Sequence, residues 1–146
     1  MSNSDGLIDS NKDLDAVGHQ GKSVLVVDDS FANLKLVCLL LKGEGYNIQT
    51  AMGADEALEV LETFLPDLIL MDIQLPGVDG LTLTRQIKKD PRFKDVVVVA
   101  LTAYAMKGDD ERARESGCAG YITKPIDTRD FVATMSQFLP TDKGPR

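Results

Sequence analysis

Short apolar runs alternate with longer amphipathic stretches five times between residues 23 and 138. The runs have the length of strands and are rich in β-branched residues, whereas each stretch that follows has apolar residues at helical spacing. The pattern predicts strands at residues 23–27, 47–51, 67–72, 96–101 and 119–123, and helices from Phe31 until Gly43 and at residues 54–64, 81–89, 105–116 and 127–138. The chain is therefore expected to contain five strand–helix units in series.

The predicted strands are too apolar to face water on either side, and residues 96–101 are apolar or alanine throughout. Strands of this kind occur in parallel sheets that are covered by helices on both faces. We therefore predict an α/β fold with a doubly wound, five-stranded parallel sheet. Right-handed crossovers bring the carboxyl ends of all strands to one edge, where such sheets bind ligands.

Reactive side chains follow four of the five predicted strands. Asp28 and Asp29 follow the first strand, and Asp72 ends the third. Thr102 follows the fourth strand and Lys124 follows the fifth. The predicted topology therefore brings three carboxylates, a hydroxyl and an ammonium to one edge of one sheet.

Three carboxylates at one edge repel each other and need a cation. A small site of oxygen ligands with open positions suits Mg²⁺ better than Ca²⁺. Lys124 supplies a second cation, so a phosphoryl group held there would be stabilised while an Asp oxygen attacks it. This points to phosphorylation of a carboxylate. Spacing leaves open which Asp is the nucleophile, although Asp72 stands alone whereas Asp28 and Asp29 form a pair suited to a metal.

Composition excludes several other functions. The 146 residues include 23 acidic and 16 basic ones, and the net charge of −7 argues against direct binding of nucleic acid. No apolar run is long enough to span a membrane. The single histidine, His19, lies in a polar segment, which argues against histidine-based catalysis or metal binding. We expect one cytoplasmic domain, in which Cys38 and Cys118 are reduced thiols.

Four segments together resemble the receiver domains of two-component response regulators, in the CheY-like superfamily. They are residues 24–29, 66–77, 100–103 and 121–125, and the resemblance extends from about Gly21 to Leu139. Residues 100–117 are most similar to DivK-type single-domain regulators and to the receivers of hybrid kinases. The resemblance implies a flavodoxin-like (βα)5 sheet with strand order 2-1-3-4-5. It divides the chain into an acidic tail at 1–21, a receiver at 22–139 and a short tail at 140–146.

The resemblance also implies a role for each residue of the site. Asp72 becomes the phosphoacceptor, and Asp28, Asp29 and the backbone carbonyl of Gln74 join it as Mg²⁺ ligands. The expected function is acceptance of a phosphoryl group from a histidine kinase phosphohistidine, with slow autodephosphorylation and no other catalysis. Lys124 is implied to pair with the phosphoryl oxygens, and Thr102 and Tyr121 are implied to form the switch. The Lys124–Pro125 peptide resembles the family's cis bond. Gln74 and Tyr104 match positions that tune dephosphorylation.

Other interpretations compete with this one. A haloacid-dehalogenase-type phosphohydrolase needs a second Asp two positions after the first, where this chain has Ser30, and a flavodoxin's flavin phosphate would be repelled by the Asp28–Asp29 pair. A receiver of a hybrid kinase, or a phosphorelay intermediate that passes phosphate onward, remains the alternative. The partners expected are a sensor histidine kinase or phosphotransfer protein and a downstream protein target, with the chain a monomer or a phosphorylation-dependent dimer.

The residues also have ordinary structural interpretations. Tyr121 considered by itself predicts core packing. The leucines at 36, 39 and 40 could form a face that binds a partner, but the pattern favours additional core on the first helix. Gly77 and Gly80 predict turn geometry, because the chain has no glycine-rich phosphate-binding motif.

Overall fold

The computed structural model describes residues 21–103 and 108–139, except for the side chain of Asp109. Residues 1–20 and 140–146, which include nearly all of both predicted tails and His19, lie outside this part. Tyr104 also lies outside it. The strands are β1 (Ser23–Val27), β2 (Asn47–Ala51), β3 (Leu68–Asp72), β4 (Val97–Thr102) and β5 (Gly120–Thr123). The helices are α1 (Phe31–Lys42), α2 (Ala54–Leu61), α3 (Gly80–Lys88), α4 (Asp109–Glu115) and α5 (Phe131–Phe138), with a 3-10 turn at Pro91–Phe93.

The five strands form one sheet in the order β2-β1-β3-β4-β5, and all neighbours are parallel. β3 is central, with Asp72 at its carboxyl end opposite Leu101 of β4. One strand further out, Thr102 pairs in register with Thr123. The predicted α/β class and strand order are confirmed, and the strand ends meet at one edge as expected.

Alternate residues of each central strand point to opposite faces, so each strand contributes to two cores. Val24 and Val26 pack with Leu34 of α1 and Met135 of α5 in one core. Residues such as Leu25 pack with α2, α3 and α4 in the other core. The sheet therefore has two helices on one face and three on the other, which explains why the central strands are apolar throughout.

The edge strands depart from the prediction that no strand faces water. In β2 and β5 exposed residues alternate with partly buried ones, because each of these strands has a neighbour on one side only. The helices are also shorter than predicted: α2 ends at Leu61 rather than residue 64, and α5 begins at Phe131 rather than residue 127. After α2 the apolar pattern continues because Phe64 of the following loop is partly buried against the core.

Leu39 and Tyr121, which the sequence assigns to the core, are exposed instead, and so is Phe31 at the start of α1. Phe31 and Leu39 of α1 are 68% and 66% exposed, and Tyr121 of β5 is 38% exposed. Leu36 and Leu40 are partly buried against the α1–α5 core, as predicted. Leu39 lies on the side of α1 opposite its buried residues, whereas Phe31 lies at the flank of the helix beside Thr50 and Met52. Helical spacing did not distinguish these positions, because α1 has apolar residues around most of its circumference.

Cys38 and Cys118 are both free thiols; the first is partly buried and the second is buried. Within residues 21–103 and 108–139, no helix is long and apolar enough to cross a membrane. Gly77 has φ +82°, a conformation that favours glycine, and it lies in the loop between β3 and α3 as the turn prediction requires.

Candidate functional site

The turn from β1 into α1 fixes the first carboxylate of the site. Asp28 is fully buried, and its N–H donates to the Ala51 carbonyl of β2. The Ser30 N–H donates to Asp28 Oδ1 at 2.8 Å, and Asn33 Nδ2 donates to Oδ2 at 3.0 Å. Ser30 Oγ in turn accepts from the Asn33 N–H and caps α1. The first turn of α1 therefore holds both oxygens of Asp28.

Asp72 ends the central strand and is 1% exposed. Its Oδ1 accepts from the Gln74 N–H at 2.9 Å. The N-terminus of α3 packs directly behind it: a Cβ at Gly80 would overlap the Asp72 carbonyl oxygen and lie 2.6 Å from the Ile73 Cα. The Gly80 N–H donates to the Ile73 carbonyl at 3.1 Å. Glycine at position 80 is therefore required for this close approach, beyond the turn geometry predicted for it.

Lys124 connects the two buried carboxylates. Its Nζ lies 3.1 Å from Asp72 Oδ2 and 3.3 Å from Asp28 Oδ2. Its backbone N–H donates to the Thr102 carbonyl at 2.7 Å, and the Lys124–Pro125 peptide is cis, as the resemblance implied. Lys124, which follows β5, therefore places its ammonium between the carboxylates at the ends of β1 and β3.

Asp29 completes an acidic cluster with Asp28 and Asp72. One carboxylate oxygen from each lies within 4.8 Å of the others, and Asp29 is exposed whereas the other two are buried. Three carboxylates against one ammonium leave the cluster negatively charged. Its donors are hard oxygens close enough to share one ion, and the exposed side leaves room for water, so the cluster fits a divalent cation such as Mg²⁺.

Burial and charge shift two of these groups in the same direction. Burial raises the pKa of Asp72 above its ordinary value, although the Gln74 N–H and Lys124 favour its charged form. The charge of Asp28 adds to the rise. Burial acts to lower the pKa of Lys124, but the hydrogen bond to Asp72 and the charges of both aspartates outweigh it, and the pKa is raised. Lys124 is therefore a cation at neutral pH.

The remaining predicted residues lie around this cluster. Gln74 is exposed and contacts Asp72 through its backbone N–H, while Thr102 is 2% exposed at the end of the neighbouring strand. Tyr121 lies on the edge strand, two positions before Thr123, with its ring partly in solvent. Sequence reasoning missed Asn33. Its spacing of five residues from Asp28 is a usable signal, since a side chain in the first turn of a helix can reach back to a residue two positions before the cap.

A family model described as the response regulator receiver domain matches residues 24–136. The chain belongs to the response regulator receiver family. The predicted two-component signalling role is thereby confirmed. A receiver of this kind receives its signal from a histidine kinase or a phosphotransfer protein.

Individual relatives agree with this assignment. The polar-differentiation response regulator DivK of Brucella anthropi is 45% identical to this receiver over 118 residues, which are 81% of this chain and 96% of that protein. A CheY-like receiver domain protein of Methanospirillum hungatei has a TM-score of 0.73 at 30% identity, covering 80% of this chain and 91% of that one. The predicted similarity to DivK-type regulators is confirmed.

A third relative bears on the metal. The receiver domain of a sensor histidine kinase from Pseudomonas aeruginosa has a TM-score of 0.73 at 29% identity, covering 83% of this chain and 99% of that one. That structure has a magnesium ion coordinated in its active-site cleft. The acidic cluster of this receiver is compatible with the same ion.

We expect Asp72→Asn to stabilise the metal-free receiver at neutral pH. Because the folded-state pKa of Asp72 is raised, the native state keeps a proton that the unfolded state has lost, and stability falls as pH rises from the ordinary carboxyl pKa through the raised one. The amide still accepts from Gln74 but does not titrate. Urea unfolding in the presence of a chelator should therefore show a gain for the variant that is larger at pH 7 than at pH 4. A gain that is equal at both values, or a loss at pH 7, would contradict the argument.

We also expect Asn33 and Asp28 to be energetically coupled. Their hydrogen bond has a charged acceptor, for which the usual contribution is about 1.5–3 kcal/mol. A double-mutant cycle with Asn33→Ala, Asp28→Ala and the double variant, followed by urea unfolding, should give a coupling energy of about 1–3 kcal/mol. Additive effects of the two substitutions would show that Asn33 does not support the carboxylate.

Proposed function

We propose that Asp72 is the phosphoacceptor of this receiver, and that Asp28, Asp29 and the Gln74 carbonyl complete a Mg²⁺ site with it. The observation that supports this most strongly is the shared contact of Lys124 with two buried carboxylates, inside a cluster whose oxygens lie within 4.8 Å of each other. These side chains come from the ends of three strands, β1, β3 and β5, which converge at this edge of the sheet.

The position of Asp72 favours it as the nucleophile. It lies on the central strand, and its two oxygens are oriented by the Gln74 N–H and by Lys124. In the reaction, an oxygen of Asp72 attacks the phosphorus of a phosphohistidine. The phosphorus–nitrogen bond breaks, its electron pair stays on the imidazole nitrogen, and an acyl phosphate forms on Asp72.

The surrounding residues hold the transferred group. Lys124 is positioned to pair with a phosphoryl oxygen, which requires its ammonium to turn from one carboxylate to the new group. Asp28 keeps its orientation through Ser30 and Asn33. A bound Mg²⁺ would neutralise charge on the phosphoryl oxygens. The residues of the receiver therefore catalyse the phosphorylation of Asp72 themselves, and slow autodephosphorylation is the other reaction we assign to the chain.

The output depends on Thr102 and Tyr121. Thr102 is buried at the strand end next to Asp72, and the Tyr121 ring is 38% exposed on the edge strand. We infer that the Thr102 hydroxyl donates to a phosphoryl oxygen, and that the Tyr121 ring then turns inward. Such a change shifts the population between two packings of one face and alters the surface offered to a protein target.

We infer the wider setting from the family. The donor is a sensor histidine kinase or a phosphotransfer protein, the target is a protein, and the receiver occupies residues 22–139 in the cytoplasm. It acts as a monomer or as a phosphorylation-dependent dimer. A role as a hybrid-kinase receiver or relay intermediate is not favoured, because the 45% identical relative is a response regulator.

Incubation with a small-molecule phosphodonor is expected to add one phosphoryl group, only when Mg²⁺ is present. Intact-mass analysis should show the adduct for the natural chain and none for Asp72→Asn. Asp67→Asn is a matched control, since Asp67 lies just before the opposite end of the same strand and accepts from the Ser23 N–H. Labelling of Asp72→Asn, or no labelling of the natural chain while it remains folded, would refute the assignment.

Replacement of Thr102 by Ala should leave labelling within about threefold of the natural chain but abolish the conformational response. The response is measured as the amide shift of Tyr121 in NMR spectra recorded before and after phosphorylation. Thr123→Ala serves as the control, because Thr123 pairs in register with Thr102 but is exposed. Equal shifts in the Thr102→Ala variant and the natural chain would show that Thr102 is not part of the switch.

A further inference from the structure

An apolar groove lies beside the acidic cluster, between α1 and the end of β2. Its volume is about 340 Å³, and Phe31, Leu34, Cys38 and Met52 provide its apolar walls. Phe31 is 68% exposed and Met52 is 41% exposed, although both side chains are large and apolar. Exposed apolar surface that is concentrated in one concave patch marks a place where another segment binds.

The course of the chain suggests which segment that is. The Asn47 N–H donates to the Lys22 carbonyl at 2.8 Å, so the chain enters the fold beside the first residue of β2. The groove is at the other end of this same edge strand, at Thr50 and Met52. Twenty residues precede Gly21, and they lie outside the described part of the chain.

These residues are long enough to reach the groove. Asn47 to Met52 spans about 17 Å at the rise of a strand. The seven intervals between the Cα atoms from Leu14 to Gly21 span at most about 25 Å when extended. Leu14 is therefore within reach of Met52, and Leu7 and Ile8 have more chain to spare.

The chemistry of the segment also matches the groove. It has four large apolar residues, at positions 7, 8, 14 and 17, in an otherwise polar stretch. Lys35 and Glu56 place one positive and one negative charge on the groove lining. Lys12 and Asp13 of the segment carry the opposite charges, but residues 7–17 also include Asp9 and Asp15 and have a net charge of −2, so the match rests on the apolar residues. The match with the Brucella relative covers 96% of that protein but 81% of this chain, so most of the chain outside the match has no counterpart there.

We propose that the segment 7–17 of this chain docks in the groove between α1 and β2. The docked segment covers the apolar face that begins two residues after Asp29. A protein that approaches the acidic cluster across this face has to displace the segment first, and this consequence, unlike the docking itself, rests on the proposed function.

Cys38 provides a reporter at the floor of the groove. It is partly buried there, whereas Cys118 is 5% exposed and burial raises its pKa to about 11, so Cys118 is an internal control in every sample. The full chain is treated with N-ethylmaleimide without Mg²⁺ or phosphodonor, and the modification of each cysteine is followed by peptide mapping. The outcome is therefore independent of phosphorylation.

Replacing all four apolar residues of the segment by Ser should increase the rate of Cys38 modification at least fivefold and leave Cys118 unchanged. The control variant carries Asn3→Ser and Gln20→Ser, which lie outside the docked segment, and should react like the natural chain. Addition of a peptide of residues 1–20 to the apolar-to-Ser variant should restore protection. Equal Cys38 rates in the natural chain and the apolar-to-Ser variant would overturn the proposal. Protection that increases with protein concentration would also overturn it, since a second copy would then be the occupant.

Discussion

Two buried carboxylates on neighbouring strands face each other at the edge of the sheet, and the ammonium of Lys124 holds them there. A buried charge is tolerated only when it is paired and hydrogen-bonded, and each aspartate meets both conditions through different elements. Asp28 depends on the first turn of α1, and Asp72 depends on the loop into α3. The ion pair therefore requires that β1, β3 and β5 all end at one level, which the parallel register provides.

The same arrangement leaves the site short of positive charge. Three carboxylates share one ammonium, and the pKa of Asp72 is raised as a result of burial that this partner only partly offsets. A site with this imbalance is less stable when empty than when a cation is bound, either alone or together with a phosphoryl group. Function and stability thus oppose each other at Asp72, which is the common situation for residues that must bind a ligand.

The sequence was sufficient to predict the fold class and the meeting of Asp28, Asp29, Asp72 and Lys124, because strand identity and parallel topology determine both. It did not predict which side of α1 is exposed. A helix with apolar residues around most of its circumference has no unique buried stripe, so Leu39 was wrongly assigned to the core. Interactions that depend on exact distances in loops were missed as well: the hydrogen bond of Asn33 to Asp28, and the contact of Gly80 with the Asp72 backbone. The role of each site residue came from family resemblance, not from spacing.

The first turn of α1 has two opposite tasks within four residues. Ser30 and Asn33 turn inward and orient Asp28, whereas Phe31 between them turns outward and forms a wall of the groove. Backbone positions in one helical turn do not move independently, because each is held by the hydrogen bonds of its neighbours. Any segment or protein that presses on Phe31 therefore acts on the same turn that positions a buried carboxylate. The surface beside the site and a carboxylate inside it thus share the first turn of a single helix.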